Sequence, residues 1–441
     1  MYKTVSLHTL GCKLNYSETS SMAKQFQNNG IEIREFGEKT DIFVLNTCTV
    51  TNNADRECKQ IIRSVIRNNP DTYVIVTGCY AQLQPGEISS IEGVDLILGT
   101  NEKFKLFDYI DNFETESLSC FGKKQKADIF VSPLDEGNYV GEAFSSDVDS
   151  RTRAFLKIQD GCDYNCSFCT IPLARGRSRS LEIGKVIESA QKIIDSGYKE
   201  IILTGVNTGD YNFTESGKRY KLIDVLYRLE KLDIKRIRIS SIEPNLLSDD
   251  IIALVNSSDK FCNHFHIPLQ HGDADILKMM RRRYNTDFFH DLIHKLSERV
   301  SDVGIGIDVI VGFPGETEKH FENTYNFLNS LPISYLHVFS YSERRNTFAV
   351  TLDGKVEVKD RKTRSSVLRN LSNKKRHEFY TSHTGKKAEV LFETGRDGMI
   401  EGWTTNYIRV KSEYKKEYEN NILPARLTEA SGSKFVKGIV E

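Results

Sequence analysis

Buried apolar runs alternate with amphipathic stretches near the start of this chain, and this alternation restricts its fold more than any other feature of the sequence. The runs Val5–Leu10, Ile42–Thr47 and Tyr73–Thr77 predict three strands, and Ser17–Asn28 and Asn53–Asn68 predict two helices between them. Strands joined through helices favour parallel pairing, with helices on both faces of the sheet. The sequence therefore predicts an N-terminal α/β domain with a doubly wound parallel sheet.

A second alternation begins after residue 150 and contains six apolar runs with helical patterns in most of the gaps. The predicted strands are Ala154–Gln159, Glu200–Thr204, Arg236–Ser240, His264–Leu269, Gly304–Val311 and Tyr335–Ser340. Six such units predict a (β/α)6 barrel that is closed or nearly closed, with its functional residues on the loops after the strands. From about Tyr380, short alternating runs separated by glycines predict a small β-barrel.

The domain boundaries follow from these patterns. The polar stretch from about Asp111 to Ser150 has weak periodicity and predicts a linker with at most one strand. We therefore divide the chain into an N-terminal domain at 1–117, a linker at 118–147, a barrel at 148–378 and a C-terminal domain at 379–441. Three domains agree with the length of 441 residues.

Composition excludes several classes of protein. Hydrophobic residues make up 39% of the chain and its formal net charge is -1, which excludes a disordered or strongly basic protein. The N-terminus lacks the apolar core of a signal peptide, and no run approaches the roughly 18 apolar residues of a spanning helix, so we expect a cytoplasmic protein without a membrane partner. In that compartment, nine cysteines indicate metal ligands, reactive thiols or core residues rather than disulfides.

Three cysteines follow the first predicted strand of the barrel, at Cys162, Cys166 and Cys169. Their spacings of four and three allow one loop to bind three corners of a cubane iron-sulfur cluster and leave the fourth iron open. Zinc with a further ligand is the competing interpretation, but the position of the loop at the functional edge of the barrel favours the cluster. The nearby cations could balance the thiolate charge or bind phosphate; they are Arg175, Arg177 and Arg179.

The three predicted N-terminal strands each run into a cysteine: Cys12, Cys48 and Cys79. Since ligands bind beyond the carboxyl ends of parallel strands, we expect three thiolates on one side of one sheet. Any one of them could be a small core residue, but all three together favour a metal site. The remaining cysteines are interpreted as core or surface thiols: Cys58, Cys120 and Cys262.

The cysteine loop, with Phe168 before its last cysteine, resembles the radical S-adenosylmethionine (SAM) superfamily, and nearly the whole chain is similar to the methylthiotransferases that modify tRNA. This resemblance implies a radical SAM barrel, a second [4Fe-4S] cluster at the N-terminal cysteines and a C-terminal TRAM domain that binds RNA. It also implies the reaction. A 5′-deoxyadenosyl radical from SAM would activate carbon 2 of an adenosine, and sulfur held at the second cluster would be transferred and methylated.

Three segments resemble the branch that acts on threonylcarbamoyladenosine at tRNA position 37: Thr9–Asn15, Cys48–Thr51 and His337–Ser342. Other branches modify isopentenyladenosine or a side chain of a ribosomal protein. A rival of a different class is an iron-sulfur electron-transfer or RNA-binding protein without turnover.

The resemblance also implies cofactor contacts after the barrel strands. Gly205 and Asn207 match the segment that contacts the methionine part of SAM, and Ser241 and Glu243 match positions near its ribose. Two further signatures, His266–Gln270 and Asp308–Glu316, add Gln270 and Asp308 to the expected binding residues. His271 and Asn346 depart from the residues that are usual in the family at these positions.

The expected partners are the tRNA anticodon loop, a low-potential electron donor and a source of sulfur, and we expect a monomer. One predicted helix, Lys359–Arg376, holds eight basic residues against the single acid Asp360. This surplus predicts contact with a polyanion, although a solvated helix face would have the same pattern.

Overall fold

The computed structural model describes residues 2–110, 126–134, 141–144 and 152–441. The N-terminal domain is a six-stranded parallel sheet with the order β2-β1-β3-β4-β5-β6. Its strands are β1 (Thr4–Thr9), β2 (Glu32–Arg34), β3 (Ile42–Thr47), β4 (Tyr73–Gly78), β5 (Leu96–Leu98) and β6 (Asp128–Phe130). The strand order reverses between β1 and β3, which is the usual ligand-binding point of such a sheet.

Within the described residues, five helices accompany this sheet: α1 (Lys13–Asn28), α2 (Asn52–Asn68), α3 (Cys79–Leu83), α4 (Pro85–Ser89) and α5 (Leu106–Tyr109). Separate apolar cores form on its two faces. Met22 and Phe26 of α1 pack on one face, and Cys58 and Ile62 of α2 pack on the other. The predicted doubly wound sheet is thus confirmed, and β6, which lies within the predicted linker, extends it.

The central domain is a barrel of six parallel strands that remains open. Its order is β7-β10-β13 followed by β14-β15-β16, and a parallel bridge between Ser241 and His266 joins the two halves. The strands are β7 (Arg153–Lys157), β10 (Glu200–Thr204), β13 (Arg236–Ile239), β14 (His264–Gln270), β15 (Gly304–Val311) and β16 (Tyr335–Ser340). Within the described residues β7 does not pair with β16, so the barrel is partial.

Helices surround this barrel: α6 (Ile171–Arg175), α7 (Ile183–Asp195), α8 (Leu222–Glu230), α9 (Asp249–Ser257), α10 (Ala274–Met279), α11 (Thr286–Arg299), α12 (Glu318–Ser330) and α13 (Val358–Thr381). Two small antiparallel pairs lie on its loops: β8 (Gln159–Asp160) with β9 (Arg179–Ser180), and β11 (Asn212–Glu215) with β12 (Lys218–Lys221). The predicted strand Ala154–Gln159 is therefore wrong at its end, because Gln159 leaves the barrel to pair with Ser180.

The C-terminal domain is a closed barrel of five strands: β17 (Lys387–Phe392), β18 (Met399–Thr404), β19 (Arg409–Glu413), β20 (Ile422–Ser431) and β21 (Phe435–Val440). It covers the N-terminal mouth of the α/β barrel. Arg236 donates to the carbonyl of Trp403 at 2.9 Å, and Arg238 donates to that of Thr405 at 2.8 Å while it pairs with Glu200. Access to the barrel lumen is consequently from the opposite end, where the cysteine loop lies.

Candidate active site

The sheet triplet, Cys12, Cys48 and Cys79, lies at the carboxyl edge of the N-terminal sheet. Cys12 follows β1 and caps α1, Cys48 follows β3, and Cys79 begins α3. Gly11 has a φ of 102°, and a Cβ there would lie 2.9 Å from the Cys48 sulfur, so glycine permits the close approach of two of the cysteine loops. Burial, followed by the charges of Cys79 and Cys12, raises the pKa of Cys48 to about 12.

A buried ionic cluster, called here the Glu18 network, lies beside the sheet triplet. Glu18 is 2.7 Å from Lys103 and 3.0 Å from both Lys157 and Arg175. Asp160 pairs with Lys157 at 2.7 Å and with Arg175 at 2.9 Å. Three cations thus face two carboxylates in a region without solvent. One positive charge remains, which complements the negative charge that thiolates would bring.

The effect of this network reaches the cysteines. Burial raises the pKa of Cys79, while Arg175 and then Lys103 oppose that increase. The network also connects two domains, because Glu18 and Lys103 belong to the N-terminal domain whereas Lys157, Asp160 and Arg175 belong to the barrel. It therefore positions the sheet triplet relative to the barrel.

The barrel triplet, Cys162, Cys166 and Cys169, lies on the loop between β8 and α6. Three donors point at its sulfurs: the Tyr164 amide to Cys162 at 3.4 Å, the Ile171 amide to Cys169 at 3.4 Å and the Arg282 guanidinium to Cys166 at 3.0 Å. Burial raises the pKa of both Cys162 and Cys169 to about 12. Such donors support thiolate ligands and tune the reduction potential of an iron-sulfur cluster.

Arg282 is a functional candidate that the sequence analysis missed. Its side chain is 2% exposed, and besides Cys166 it contacts the Glu243 carboxylate and the Tyr284 hydroxyl. The run of three arginines, Arg281-Arg282-Arg283, could have indicated a cationic group near the site. The arginines downstream of the cysteine loop were candidates for balancing thiolate charge or binding phosphate; Arg175 lies in the Glu18 network, and Arg282 contacts the barrel triplet instead.

The spacing of the sulfurs bears on the choice between zinc and a cluster. In the described ranges, the sets of three ligand atoms within 4.8 Å of one another are His266, Asp308 and His337, and Asp273, Asp275 and His320. Neither cysteine triplet is among these sets. Thiolates around one tetrahedral zinc ion would be about 3.8 Å apart. In neither triplet are all three sulfurs as close together as a single zinc ion would hold them.

Of the six residues expected to contact SAM, Gly205, Asn207, Ser241 and Glu243 follow β10 and β13, whereas Gln270 and Asp308 lie on β14 and β15. The amide of Asn207 donates to the Gln159 side chain at 3.0 Å, and its side-chain oxygen accepts from the Glu243 amide at 3.3 Å. A Cβ at Gly205 would lie 2.8 Å from the Gln159 oxygen, so this turn requires glycine. The buried Nδ2 of Asn207 has no partner among the described residues, which fits a donor reserved for a bound cofactor. Ser241 is in the bridge that joins the barrel halves.

A cavity of about 230 Å³, called here the inner cavity, lies between the barrel triplet and the loop that follows Cys48. Cys169 lines it from the barrel loop, and Val50 and Thr51, which follow Cys48, line it from the N-terminal domain. Gln270 and Asp308 complete its wall. Gln270 has a φ of 73° and lies at an irregularity in the pairing of β14 with β15. Strained backbone of this kind is typical of ligand-binding sites.

Several polar side chains line the barrel lumen. Burial opposes ionisation of Asp308, but the charge of His266 and its hydrogen bond to the carboxylate at 2.8 Å outweigh burial and hold the pKa of the carboxyl below its ordinary value. Burial and the charge of His266 lower the pKa of His337 to about 4. Burial also lowers the pKa of Lys13, the residue after Cys12, which lies near Tyr407. The sequence analysis identified Asp308 as a binding residue. It did not identify Lys13, because Lys13 approaches the lumen only when the N-terminal domain packs on the barrel.

A second contact holds the loop that carries Cys48. Arg344, from the segment after β16, donates to Asn52 at 2.6 Å, to Thr49 at 2.5 Å and to Asp55 at 2.7 Å. The barrel therefore restrains the N-terminal loop that borders the inner cavity.

The two departures from the family pattern have different structural roles. His271 is fully buried, and its ring lies 3.4 Å from Glu316 and 3.2 Å from Thr324, outside the inner cavity. Asn346 has a φ of 65°, a conformation that asparagine adopts more readily than most other residues, which accounts for the usual glycine there. Of the cysteines outside the triplets, Cys58 and Cys262 are buried, and Cys120 lies outside the described residues.

Family models match two parts of the chain. The radical SAM superfamily model matches residues 156–328, and the model of the uncharacterized protein family UPF0004 matches residues 4–99. Among solved structures, the radical S-adenosylmethionine methyltransferase TsrM of Kitasatospora setae has a TM-score of 0.52 at 14% identity. The match covers 76% of this chain and 73% of TsrM, and at that identity it shows the fold alone.

Curated relatives match over almost the whole length. The threonylcarbamoyladenosine tRNA methylthiotransferase MtaB of Bacillus subtilis is 40% identical over 97% of this chain and 94% of that protein. MtaB of Aquifex aeolicus is 35% identical, covering 94% and 97%. The tRNA-2-methylthio-N(6)-dimethylallyladenosine synthase of Endomicrobium trichonymphae is 30% identical, covering 98% and 99%. None of the described helices has both the length and the apolar character needed to cross a membrane.

Proposed function

This chain belongs to the family of threonylcarbamoyladenosine tRNA methylthiotransferases, and on that premise we propose that it transfers a methylthio group to carbon 2 of N6-threonylcarbamoyladenosine at tRNA position 37. The observation that carries the proposal is the inner cavity. It has a cysteine of the barrel triplet on one side and the loop of Cys48 on the other. A cavity that extends from a cysteine of one set to the loop that carries a cysteine of the other suits a reaction that needs a radical and a sulfur at the same atom.

Each triplet would hold a [4Fe-4S] cluster with one iron free of protein ligands. When bound, the barrel cluster supplies the electron that splits SAM into methionine and a 5′-deoxyadenosyl radical, and the second cluster supplies sulfur. The protein provides thiolate ligands, with Arg282 beside Cys166 and Arg175 beside Cys79 to offset their charge. Gly205, Asn207, Ser241 and Glu243 would bind SAM.

The inner cavity would receive the adenine after it leaves the anticodon loop. Phe339 borders this cavity with 47% of its surface exposed, and it offers an aromatic face on which an extruded base can stack. Asp308 and Gln270 line the same cavity and supply hydrogen-bonding groups for the base edge. The apolar walls limit the access of water to a radical reaction.

The proposed partners are the tRNA anticodon loop, a low-potential electron donor and a source of sulfur, and the proposed state is a monomer in the cytoplasm. The domain boundaries 1–117, 118–147, 148–378 and 379–441 are part of the same proposal. The C-terminal barrel would provide the TRAM contact with RNA, at the end of the α/β barrel opposite to the cysteines.

Nucleoside mass spectrometry tests the proposed function most directly. We expect tRNA from a strain without this protein to lack 2-methylthio-N6-threonylcarbamoyladenosine and to accumulate the precursor, and a plasmid copy to restore the product. Unchanged methylthio nucleosides in that strain would reject the tRNA reaction and favour the ribosomal or non-catalytic alternatives. Loss of a methylthiolated isopentenyladenosine instead would identify the other tRNA branch.

Anaerobic reconstitution provides an independent test. Two cubane clusters require about eight irons per chain. About three irons or fewer would contradict the two-cluster proposal.

A further inference from the structure

A second cavity, of about 690 Å³, opens beside the inner cavity, and the function proposed above leaves it without a role. It is bounded by the start of α2, the end of β16 and the first half of α13. The two cavities share lining residues: Thr51, Phe339, Ser340, Tyr341 and Ser342. A group attached to a base in the inner cavity can therefore extend into the second cavity without leaving the protein.

Besides Arg361, three cations line this second cavity, called here the cationic cleft: Arg56 from α2, and Lys362 and Arg369 from α13. All three are exposed, and none forms an ion pair with another residue in the part of the chain that the structure describes. Other basic residues of α13 are already engaged. Arg361 pairs with Glu343, and Arg364 pairs with Glu316 and Glu318. The charge of Arg361 also offsets Glu343, the one acidic residue of the lining.

Two hydroxyl groups in the cleft lack the hydrogen bonds that buried groups normally form. Ser365 is 2% exposed and Tyr341 is 5% exposed, and both line the cleft. Their hydroxyl oxygens have no hydrogen-bond partner among the described residues. Because an unsatisfied buried hydroxyl is unfavourable, a ligand that supplied its hydrogen-bond partner would gain affinity. The cleft thus offers positive charge together with two free hydroxyls.

We infer that the cationic cleft binds the threonylcarbamoyl substituent of the target nucleoside, with the carboxylate of its threonine moiety facing Arg56, Lys362 and Arg369. This inference rests on the function proposed above and adds the residues that select the substrate. The substituent carries one carboxylate, one hydroxyl and a urea group, which match the cations and the two unpartnered hydroxyls. A dimethylallyl substituent has no polar atom for these groups, so the cleft would select against it.

A phosphate of the anticodon loop offers the same negative charge as the carboxylate, and the two sources predict different binding data. A carboxylate contact is lost when the substituent is absent. A phosphate contact persists in every loop of the same sequence, because the backbone does not change.

The test measures binding of the reconstituted full-length protein to synthetic anticodon stem-loops by fluorescence anisotropy at one fixed salt concentration. Four loops differ only at position 37: adenosine, N6-threonylcarbamoyladenosine, its threoninamide analogue and isopentenyladenosine. The variants are Arg56→Gln, Lys362→Gln and Arg369→Gln. Lys359→Gln is the matched control, because it removes a charge from the same helix outside the cleft.

Hydrogen bonds to a charged group contribute about 1.5–3 kcal/mol, so we expect the wild type to prefer the threonylcarbamoyl loop over its amide by about 10- to 100-fold. The cleft variants should reduce that preference to within about threefold, and Lys359→Gln should retain it. Equal weakening of all four loops by the cleft variants would assign the cleft to phosphate and overturn the inference. A wild type that binds the acid and the amide equally would overturn it as well.

Further measurements distinguish a failure of the inference from misfolding of the variants and from a failure of the proposed function. Iron content and 5′-deoxyadenosine formation without RNA should stay at wild-type levels in the cleft variants. If the wild type makes no methylthio product from threonylcarbamoyladenosine tRNA, the proposed function fails. If it makes product and the cleft variants keep the acid preference, the further inference alone fails.

Discussion

The sheet triplet comes from three strands that are far apart in sequence, whereas the barrel triplet comes from one loop of nine residues, 161–169. Their surroundings also differ. The sheet triplet lies beside the Glu18 network, in which five charged side chains from two domains are buried together. The barrel triplet receives a direct contact from one cation, Arg282, in addition to backbone amides.

This contrast indicates that the two triplets depend on the rest of the molecule to different extents. The sulfurs of the barrel triplet are brought together by local chain geometry and need few partners. The sheet triplet requires the sheet, the glycine before Cys12 and the docking of the barrel onto α1. In the proposed reaction, the cluster that supplies sulfur would thus depend on domain packing, whereas the cluster that cleaves SAM would depend mainly on one loop.

The largest expected effect separates the two triplets by reaction step. We expect Cys166→Ala to abolish both 5′-deoxyadenosine and methylthio product. Cys48→Ala should retain 5′-deoxyadenosine while product falls by more than the 10- to 100-fold that a substitution outside the ligands typically causes, roughly 100-fold or more. Chromatography with mass spectrometry measures both products. Cys58→Ala is the control, because its sulfur lies 3.8 Å from the Cys48 carbonyl outside the triplet. Equal loss of both products in the two ligand variants would remove the distinction.

Glu18→Gln should produce the next largest effect, on stability. It leaves three buried cations with one carboxylate, and a broken buried pair costs about 3–5 kcal/mol. We expect a reduced free energy of unfolding in urea and loss of iron from the sheet triplet before the barrel triplet. Glu188→Gln, in an exposed pair with Lys192, should leave stability unchanged. An unchanged urea midpoint for Glu18→Gln would show that the network does not stabilise the packing of the two domains.

Arg282→Gln should have a smaller effect, confined to the barrel triplet. The substitution removes a cationic donor from Cys166 and frees Glu243. We expect a 10- to 100-fold slower formation of 5′-deoxyadenosine and a lower reduction potential of the barrel cluster, measured by a redox titration followed by electron paramagnetic resonance. The neighbouring exposed Arg281→Gln is the control. A shift in the signal of the other cluster instead would contradict the assignment.

The smallest expected effect is a loss of stability at acidic pH. The barrel lumen, through His337, and the Glu18 network should lose stability in different pH ranges. The pKa of His337 is lowered to about 4 by burial and by His266, whereas in an unfolded chain it is about 6.5. The unfolded state therefore binds the proton first, so this contribution to stability is complete above pH 6.5 and is lost as the pH falls from 6.5 to 4. Because the ring also reaches the open lumen, we expect less than about 1 kcal/mol.

For Glu18, burial opposes ionisation, but Arg175, Lys103 and Lys157 outweigh it and hold the pKa well below 4.5. Its contribution is present above pH 4.5 and is lost only below that value. Urea unfolding at pH 7, 5.5 and 4 should show that His337→Asn flattens the dependence between pH 7 and 5.5. Parallel curves for this variant and the wild type would reject the effect.

Much of the architecture could be predicted because its signals are local. Short apolar runs indicate buried strands in the sequence. The limits predicted from such runs are confirmed for β3, β10, β15 and β16. The sheet triplet was predictable because parallel strands end at one edge, so three cysteines after three strands must lie on the same side. The end of the first barrel strand was wrong because pairing of Gln159 with Ser180 is not visible in periodicity.

The residues that the sequence did not predict act across long separations in the chain. Arg282 reaches Cys166 over 116 positions, and Arg344 reaches Thr49 over 295. No local pattern encodes such contacts, because they arise when domains pack and exclude water between them.

The sequence alone identified six cysteines in two groups and an α/β framework, since chain spacing and strand alternation are local properties. Tertiary structure was needed to show that one cavity is lined by Cys169 of the barrel triplet and by the residues that follow Cys48, that Arg175 lies near the sheet triplet and Arg282 contacts the barrel triplet, and that a cationic cleft adjoins the cavity. These features depend on which charges are buried together. That outcome follows from the packing of the N-terminal domain, the barrel and α13, and not from the order of residues within any one segment.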